Sequence, residues 1–391
     1  MKFLSYGRQW IDDGDISEVV QALKGDWLTQ GPLVERFEKA LAEYIGVRHV
    51  VVFSSGTAAL HGAAAAAGLG PGDQWLTTPL TFAATANAAL YVGAEPVFAD
   101  IQPGTFCMDP VRAERKLEEL PRKIKAIVPV SFAGYPFDIA HFKIMAREHE
   151  AVLIEDASHA LGGFRENDWG TRKVGFDADM TVLSFHPVKH ITTGEGGAVA
   201  TNNARFEKRL RLFRNHGITR TASEFEEKMD GPWHSEMQML GYNYRLSDIH
   251  CALGLSQLKR LDQFVERRRE LAGLYRCFLA GIRGIYQPPP VTGHAYHLFP
   301  IRVETDERAA LFAYLAENGI RLQVHYLPVH LHPYYKKRFD YKRGDFPEAE
   351  SFYEETISLP IFPSMENSDV ERVVGCIRNY FEKVSSSRRG A

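Results

Sequence analysis

The feature that most constrains this chain is a regular alternation of short apolar runs and helix-length segments between about residues 46 and 156. HVVVF (49–53), WLTTP (75–79), PVFAD (96–100), KAIVPV (125–130) and AVLIED (151–156) have the length and apolar character of strands. Between them lie SSGTAALHGAAAAAGLG, TFAATANAALYVG, DPVRAERKLEEL (109–120) and DIAHFKIMAREHE (138–150). The first two are alanine-rich and stop at glycine, and the third has Pro110 near its first turn, as helices do. Strands alternating with helices of this length predict an α/β fold built on a mostly parallel sheet covered on both faces.

After residue 156 the pattern changes. ADMTVLSF (178–185) and GGAVATN (197–203) read as two strands around an irregular, glycine-rich loop. From Ser247 one helical signal runs to about Leu279, with Ser247 and Asp248 offering the N-cap oxygen. Leu253, Leu258, Leu261, Phe264 and Val265 share its apolar face. IYQPPPV, HLFPIRV, ERAALFAYLAENG, IRLQVHYLP and a helix near 367–384 then predict a smaller α/β domain. A chain of 391 residues can bury two cores. The expected division is an N-terminal arm and large domain over 1–250, then a linking helix and small domain over 251–391. The tail SSSRRGA is expected to fray.

Charge and cysteine usage exclude some classes. A formal net charge of −3 gives no basic footprint for nucleic acid. No stretch has the length of a membrane span, and MKFLSYGRQWIDD has no apolar leader core, so a soluble cytoplasmic protein is expected. Cys107, Cys251, Cys277 and Cys376 lack metal-ligand or CxxC spacing and are expected to be reduced thiols. His330 and His332 stand close together without matching ligands, so no metal is expected.

Three local features carry chemistry. Ser54-Ser55-Gly56-Thr57 joins a strand to a helix, where unpaired N–H groups suit a phosphate; an ordinary capped turn is the alternative. Glu155-Asp156 ends a strand, the place where open α/β sheets bind ligands; a turn aspartate is the alternative. Lys189 follows Ser184-Phe185-His186-Pro187-Val188 on the irregular loop, just before a glycine run. A lysine in dry or cationic surroundings becomes nucleophilic toward aldehydes. An amine, an acid and an anion site together suit pyridoxal phosphate (PLP). Asp156 would keep the ring nitrogen protonated, and Lys189 would carry the substrate Cα proton. Phe82 would cover the ring face, unless it is a core phenylalanine.

Longer segments carry a resemblance. WLTQGPLVERFEKALAEYIGVRHVVVFSSGTAAL, TFAATANAALYVGAEPVFADI, LIEDASHALGG, SFHPVKHITTGEGGAVATNN and GYNYRLSDIHCALGLSQL resemble the DegT/DnrJ/EryC1/StrS family of nucleotide-sugar aminotransferases, over nearly the whole chain. The resemblance implies the type I fold of PLP-dependent transferases, that of aspartate aminotransferase. It implies that Lys189 binds PLP as a Schiff base and Asp156 pairs with the pyridine nitrogen. Gly56, Thr57 and Ser184 would hold the phosphate, and His159 would lie near the ring oxygen. Asn243 resembles an asparagine that reaches the phosphate from a neighbouring subunit, which implies a homodimer with shared sites. Arg245 would add charge for a phosphate or diphosphate.

For the sugar nucleotide the resemblance points to Tyr6, to Trp27, Leu28, Thr29 and Gln30, to His186, and to His325, Tyr326, Leu327 and Pro328. SFHPVK, ITTGEGGAV and VHYLP resemble the members that serve pseudaminic acid biosynthesis. That narrower likeness implies L-glutamate as donor and UDP-2-acetamido-2,6-dideoxy-β-L-arabino-hexos-4-ulose as acceptor. Some relatives have histidine at the lysine position and deoxygenate; Lys189 favours transamination. Another UDP-, GDP- or dTDP-ketosugar, a PLP-dependent dehydratase and a non-catalytic regulator are the alternatives. His190 and the pair Gln74-Trp75 depart from the expected pattern.

Overall fold

The computed structural model describes residues 3–120, 123–167 and 170–389. An N-terminal arm leads into α1 (Asp13–Lys24) and α2 (Pro32–Ile45). Asp12 and Asp15 cap α1 reciprocally, each carboxylate accepting the other's backbone N–H at 3.0–3.1 Å. The alternation read from the sequence follows: β1 (His49–Phe53), α3 (Gly56–Ala66), β2 (Gln74–Thr77), α4 (Ala83–Tyr91), β3 (Glu95–Phe98), α5 (Pro110–Glu119), β4 (Ile124–Ile127), α6 (Ile139–Glu148) and β5 (Val152–Asp156). A hairpin, β6 (Phe164–Asn167) and β7 (Gly170–Lys173), precedes β8 (Met180–Ser184) and β9 (Gly197–Thr201).

Seven strands form one sheet in the order β1-β9-β8-β5-β4-β2-β3. Every neighbouring pair is parallel except those of β9, which runs antiparallel to β1 and to β8. The carboxyl ends of β1, β5 and β8 therefore open on one side. Small residues bring α3 down onto the sheet. Ala59, Ala63, Ala64 and Ala66 are fully buried, and a Cβ at Gly62 would stand 2.8 Å from Phe53 Cζ. Any side chain at residue 62 would push the helix off the sheet and move the phosphate-type turn at its start.

After β9 come α7 (Ala204–Arg214) and a two-stranded piece, β10 (Ile218–Thr219) with β11 (Glu236–Met237). The long helical signal is two helices, α8 (Asp248–Leu258) and α9 (Leu261–Leu279), with Arg260 off helical geometry between them. The cause is tertiary. Arg260 turns its guanidinium to the Asp12 and Asp15 carboxylates, and Trp10 stacks on Phe264 at 5.7 Å. The N-terminal arm thus occupies the corner where one straight helix was expected.

The remaining elements are β12 (Ile285–Tyr286), β13 (Phe299–Val303), α10 (Thr305–Glu317), α11 (Pro333–Phe339), α12 (Pro347–Glu355), β14 (Thr356–Leu359) and α13 (Asn367–Arg389). β12, β13 and β14 make a three-stranded antiparallel sheet. Leu271, Tyr275, Phe299, Ile301, Leu311, Val373 and Ile377 bury a second core around it. The backbone of α13 stays helical through Arg389, so the tail does not fray where expected; its last two residues lie outside the described ones. Among the described residues no helix is long and apolar enough to cross a membrane.

Candidate active site

The carboxyl ends of β1, β5 and β8 surround a cavity of about 450 Å³. Each end delivers one of the groups singled out in the sequence. Past β1, Ser55 caps α3, its Oγ accepting from Ala58 N at 3.0 Å. The first turn of α3 then presents Gly56 and Thr57 to the cavity, with N–H groups that a helix start leaves unpaired. Ser184 ends β8 against this turn; a Cβ on Gly56 would stand 3.0 Å from Ser184 Cβ. A Cβ on Gly197 would stand 2.6 Å from Gly56 N, so only glycine lets β9 start this close to the helix.

Asp156 ends β5 and is 4% exposed. Its Oδ2 accepts from Thr85 Oγ1 at 2.6 Å, and Thr85 pairs with Thr81 at 2.8 Å. Its Oδ1 accepts from the backbone and the hydroxyl of Ser158, at 3.1 and 2.6 Å. The carboxylate is thus pinned from two sides beside the cavity. Behind it, Glu155 is fully buried and paired with Arg165 and Ser131, which anchors the end of the strand.

Lys189 is half-buried because it borders the cavity. Desolvation by the surrounding protein pulls its ammonium down to about 7; the Asp156 charge opposes this, and the buried Arg268 cation adds to it. A large fraction of neutral amine near neutral pH follows. Four histidines surround the lysine. Burial, with the Lys189 charge, holds His159 and His297 well below the ordinary histidine range, and takes His325 to about 3. Burial and the Arg268 charge do the same to His190. These imidazoles are neutral at physiological pH.

Of the residues expected from the sequence, Tyr6, Gly56, Thr57, Phe82, Asp156, His159, Ser184, His186, Lys189, His325 and Tyr326 line this one cavity. Phe82 is 60% exposed, 6.0 Å from the Tyr326 ring, which excludes the core alternative. His159 contacts Tyr326 Oη through Nε2 at 3.1 Å. Tyr6 packs on His325 at 5.4 Å, and His325 Nδ1 contacts Ser358 Oγ at 2.9 Å.

Others lie elsewhere in this chain. Gln30 and Arg245 line a second hollow, of about 560 Å³, with Arg211, Arg214 and Arg220. Asn243 is exposed and pairs its backbone with Asn215. Trp27 and Leu28 are exposed, and Thr29 bridges to Ser247. Leu327 and Pro328 are outside the cavity lining. His330 pairs with Glu350 at 2.9 Å, and no metal-type cluster occurs among the described residues.

Sequence reasoning missed Thr85, Ser158, Glu195, Gln323 and His297. Ser158 was legible as a hydroxyl two residues past a strand-end aspartate. The others have no local signal.

The model of the DegT/DnrJ/EryC1/StrS aminotransferase family matches residues 9–378. The chain belongs to this family. Two curated relatives share 39% identity with it. The spore coat polysaccharide biosynthesis protein SpsC of Bacillus subtilis aligns over 96% of this chain and 97% of its own length. The UDP-4-amino-4,6-dideoxy-N-acetyl-beta-L-altrosamine transaminase of Campylobacter jejuni aligns over 99% and 100%. Among solved structures, Helicobacter pylori PseC, an aminotransferase involved in the biosynthesis of pseudoaminic acid, superimposes with a TM-score of 0.89 at 32% identity, covering 98% of this chain and 100% of that one. The PLP-form of Spr1654 from Streptococcus pneumoniae gives 0.89 at 28% identity, covering 98% and 99%.

The aminotransferases of this family use PLP, and the cavity fits it. An amine for the aldehyde stands at Lys189 and a pinned carboxylate for the ring nitrogen at Asp156. The start of α3 borders the cavity with N–H groups suited to a phosphate, and Gly56 and Gly197 let the ends of β8 and β9 pack this close to it. His159 Nδ1 is buried without a hydrogen-bond partner among the described residues, a polar atom left for a ligand.

Proposed function

We propose that this family member transfers the amino group of L-glutamate to C4 of a nucleotide-linked 4-keto-6-deoxy sugar. The acceptor in this reading is UDP-2-acetamido-2,6-dideoxy-β-L-arabino-hexos-4-ulose, of the pseudaminic acid pathway. The observation that carries the reading is the pairing of a lysine drawn down to about 7 with the strand-end carboxylate of Asp156 in one cavity. The Campylobacter transaminase and PseC support the choice of sugar.

When bound, PLP supplies the electron sink for the broken Cα–H bond. The chain's own residues do the rest. Lys189 Nζ takes that proton and returns it elsewhere, which needs an amine poised near neutrality. Asp156 keeps a proton on the ring nitrogen, and Thr85 with Ser158 stops the carboxylate from turning away. Gly56, Thr57 and Ser184 seat the phosphate. His159 would hold the ring oxygen, and Phe82, exposed at the rim, would cover the ring face. Tyr6, His186, His325 and Tyr326 shape the sugar side of the cavity, and this reading gives Trp27–Gln30 and Leu327–Pro328 to the same substrate.

The same reading makes the enzyme a cytoplasmic homodimer, divided near residue 250 into large and small domains. Asn243 and Arg245 stand away from their own chain's cavity, so a neighbouring subunit is their natural target.

The test is an absorption spectrum of the protein with PLP, before and after L-glutamate. A visible band of lysine-bound cofactor that shifts to the shorter-wavelength amine form supports the first half-reaction. A panel of UDP-, GDP- and dTDP-ketosugars then identifies the acceptor that restores the band. A band unmoved by glutamate, or a product that loses a hydroxyl and gains no nitrogen, overturns the reading. A clear preference for a GDP- or dTDP-sugar overturns the acceptor.

A further inference from the structure

We infer that His297 is the positioning residue that receives the Lys189 amine whenever that amine is not joined to cofactor, and that it leaves the amine's lone pair free. The inference deepens the proposed reaction and rests on it for its biological meaning. His297 lies 108 residues from Lys189 in sequence, yet its Nε2 stands 3.3 Å from Lys189 Nζ. It is 4% exposed and lines the same cavity.

The histidine is held from behind. Arg268, fully buried on α9, donates from Nη1 to the carbonyls of Tyr296, His297 and Ile361 at 3.1, 3.3 and 2.8 Å. This clamp fixes the backbone of the 296–297 turn and joins it to the loop after β14. The His297 ring then packs on His159, with centroids 4.3 Å apart, and against His190 at 5.8 Å. His190 is itself pinned through Nε2 to Ala295 O at 3.0 Å. None of these contacts uses His297 Nε2, which is left for the lysine.

The protonation state follows from what faces the pair. Lys189 and Arg268 are the cations, Asp156 and Glu195 are the anions, and His159, His186, His190, His325 and the Tyr6 and Tyr326 hydroxyls border the group. Burial first, and then the Lys189 charge, keep His297 neutral with one ring proton. Two arrangements remain. With the proton on Nε2, the ring would donate into the lysine lone pair and block it. With the proton on Nδ1, Nε2 accepts an N–H from Lys189 and the lone pair stays open. His297 Nδ1 has no partner among the described residues, so no neighbour forces the blocking tautomer. An amine that must attack an aldehyde and then move a proton works only in the second arrangement.

The test uses the full-length, cofactor-free protein as wild type, His297→Phe and His297→Gln. Phenylalanine keeps the bulk and removes the acceptor; glutamine restores one. Two readouts are followed across about pH 6 to 9, a range set by the depressed lysine. One is the rate at which the visible band grows on mixing with PLP. The other is reductive methylation of Lys189 by formaldehyde and cyanoborohydride, counted by mass spectrometry. In wild type both should rise through a midpoint near 7. His297→Phe should lower the plateau rate by roughly ten- to a hundredfold, a misplaced reacting group costing up to about 100-fold. It should also move the midpoint to lower pH, because the ammonium loses an acceptor. His297→Gln should recover most of both. Wild-type rates and midpoint in a folded His297→Phe, or no recovery in His297→Gln, overturn the inference. A wild type that never develops the band refutes the cofactor role of Lys189 instead, and the methylation profiles still decide on His297.

Discussion

Two regions around the cavity are built in opposite ways. The wall made by the ends of β5 and β8 is dense. Asp156, Thr85, His159 and His297 are buried there, Ser158 is half-buried, and contacts within one chain tie them together. The segment between α7 and α8 is open. Trp233 is 75% exposed, Leu240 71% and Met237 66%, and Trp27 on the neighbouring N-terminal stretch is 59% exposed. Asn243 and Arg245 belong to this segment and do not line the cavity, although the Tyr244 carbonyl between them accepts from Ser54 N at 2.8 Å. The difference teaches that the groups proposed to handle the proton hold one another within a single chain, whereas Asn243 and Arg245, proposed to reach phosphate from a neighbouring subunit, lie outside the cavity lining. Apolar side chains left in water over such a stretch mark a surface that becomes buried elsewhere.

The largest effect belongs to the dense wall. Lys189→Ala should reduce amino transfer by roughly 10⁴-fold, since proton transfer and cofactor attachment are lost together. A turnover assay with and without added methylamine checks this; full activity in its absence would end the role given to Lys189. Asp156→Asn comes next, at roughly 100-fold, because the amide keeps the shape but removes the fixed charge. It should also leave the Lys189 midpoint lower than in wild type, since the Asp156 charge works to raise it. An unchanged midpoint in the pH profile of PLP loading would break the electrostatic link between the two residues.

The open region predicts a smaller loss and a different signature. Asn243→Ala should weaken PLP binding by about tenfold, the worth of one hydrogen bond to a charged group. If the site is shared, mixing Lys189→Ala with Asn243→Ala protomers regenerates one intact site per hybrid dimer. At a PLP concentration too low to load Asn243→Ala, activity should then exceed that of either parent. A mixture no better than its parents places Asn243 in its own chain's site or in none, and the contrast between the two regions collapses.

Much of this was legible in the sequence because it is local. The β1-to-α3 turn shows in Ser55-Gly56-Thr57, and the strand-end acid in Asp156. The lysine shows in its loop between β8 and β9. What was not legible depends on contacts far along the chain. The break at Arg260 comes from Asp12, Asp15 and Trp10, while Leu258 and Leu261 continue the helical spacing straight through it. His297 meets Lys189 only because Arg268 on α9 and His190 on the loop after β8 hold the turn before β13. Thr85 is an ordinary helix residue until the sheet order sets it beside Asp156.

The smallest effect separates the two regions by stability. In the cofactor-free protein, Lys189 sits near 7 when folded and near 10.5 when unfolded. Between those values the unfolded chain binds the extra proton, so stability rises with pH across the window. The buried histidines act the same way lower down. His294 and His325 sit at about 3 when folded against 6.5 unfolded, so stability falls as pH drops below 6.5. Lys189→Met should flatten the upper rise and leave the lower one in place. In thermal melts Lys189→Met should lose the rise in Tm that the wild type shows between about pH 7 and 10.5. Asn243→Ala should leave both slopes unchanged, because no buried titrating group depends on it. An upper slope that survives Lys189→Met would show that the amine is ordinary and charged, and the dense wall would lose the property that makes it reactive.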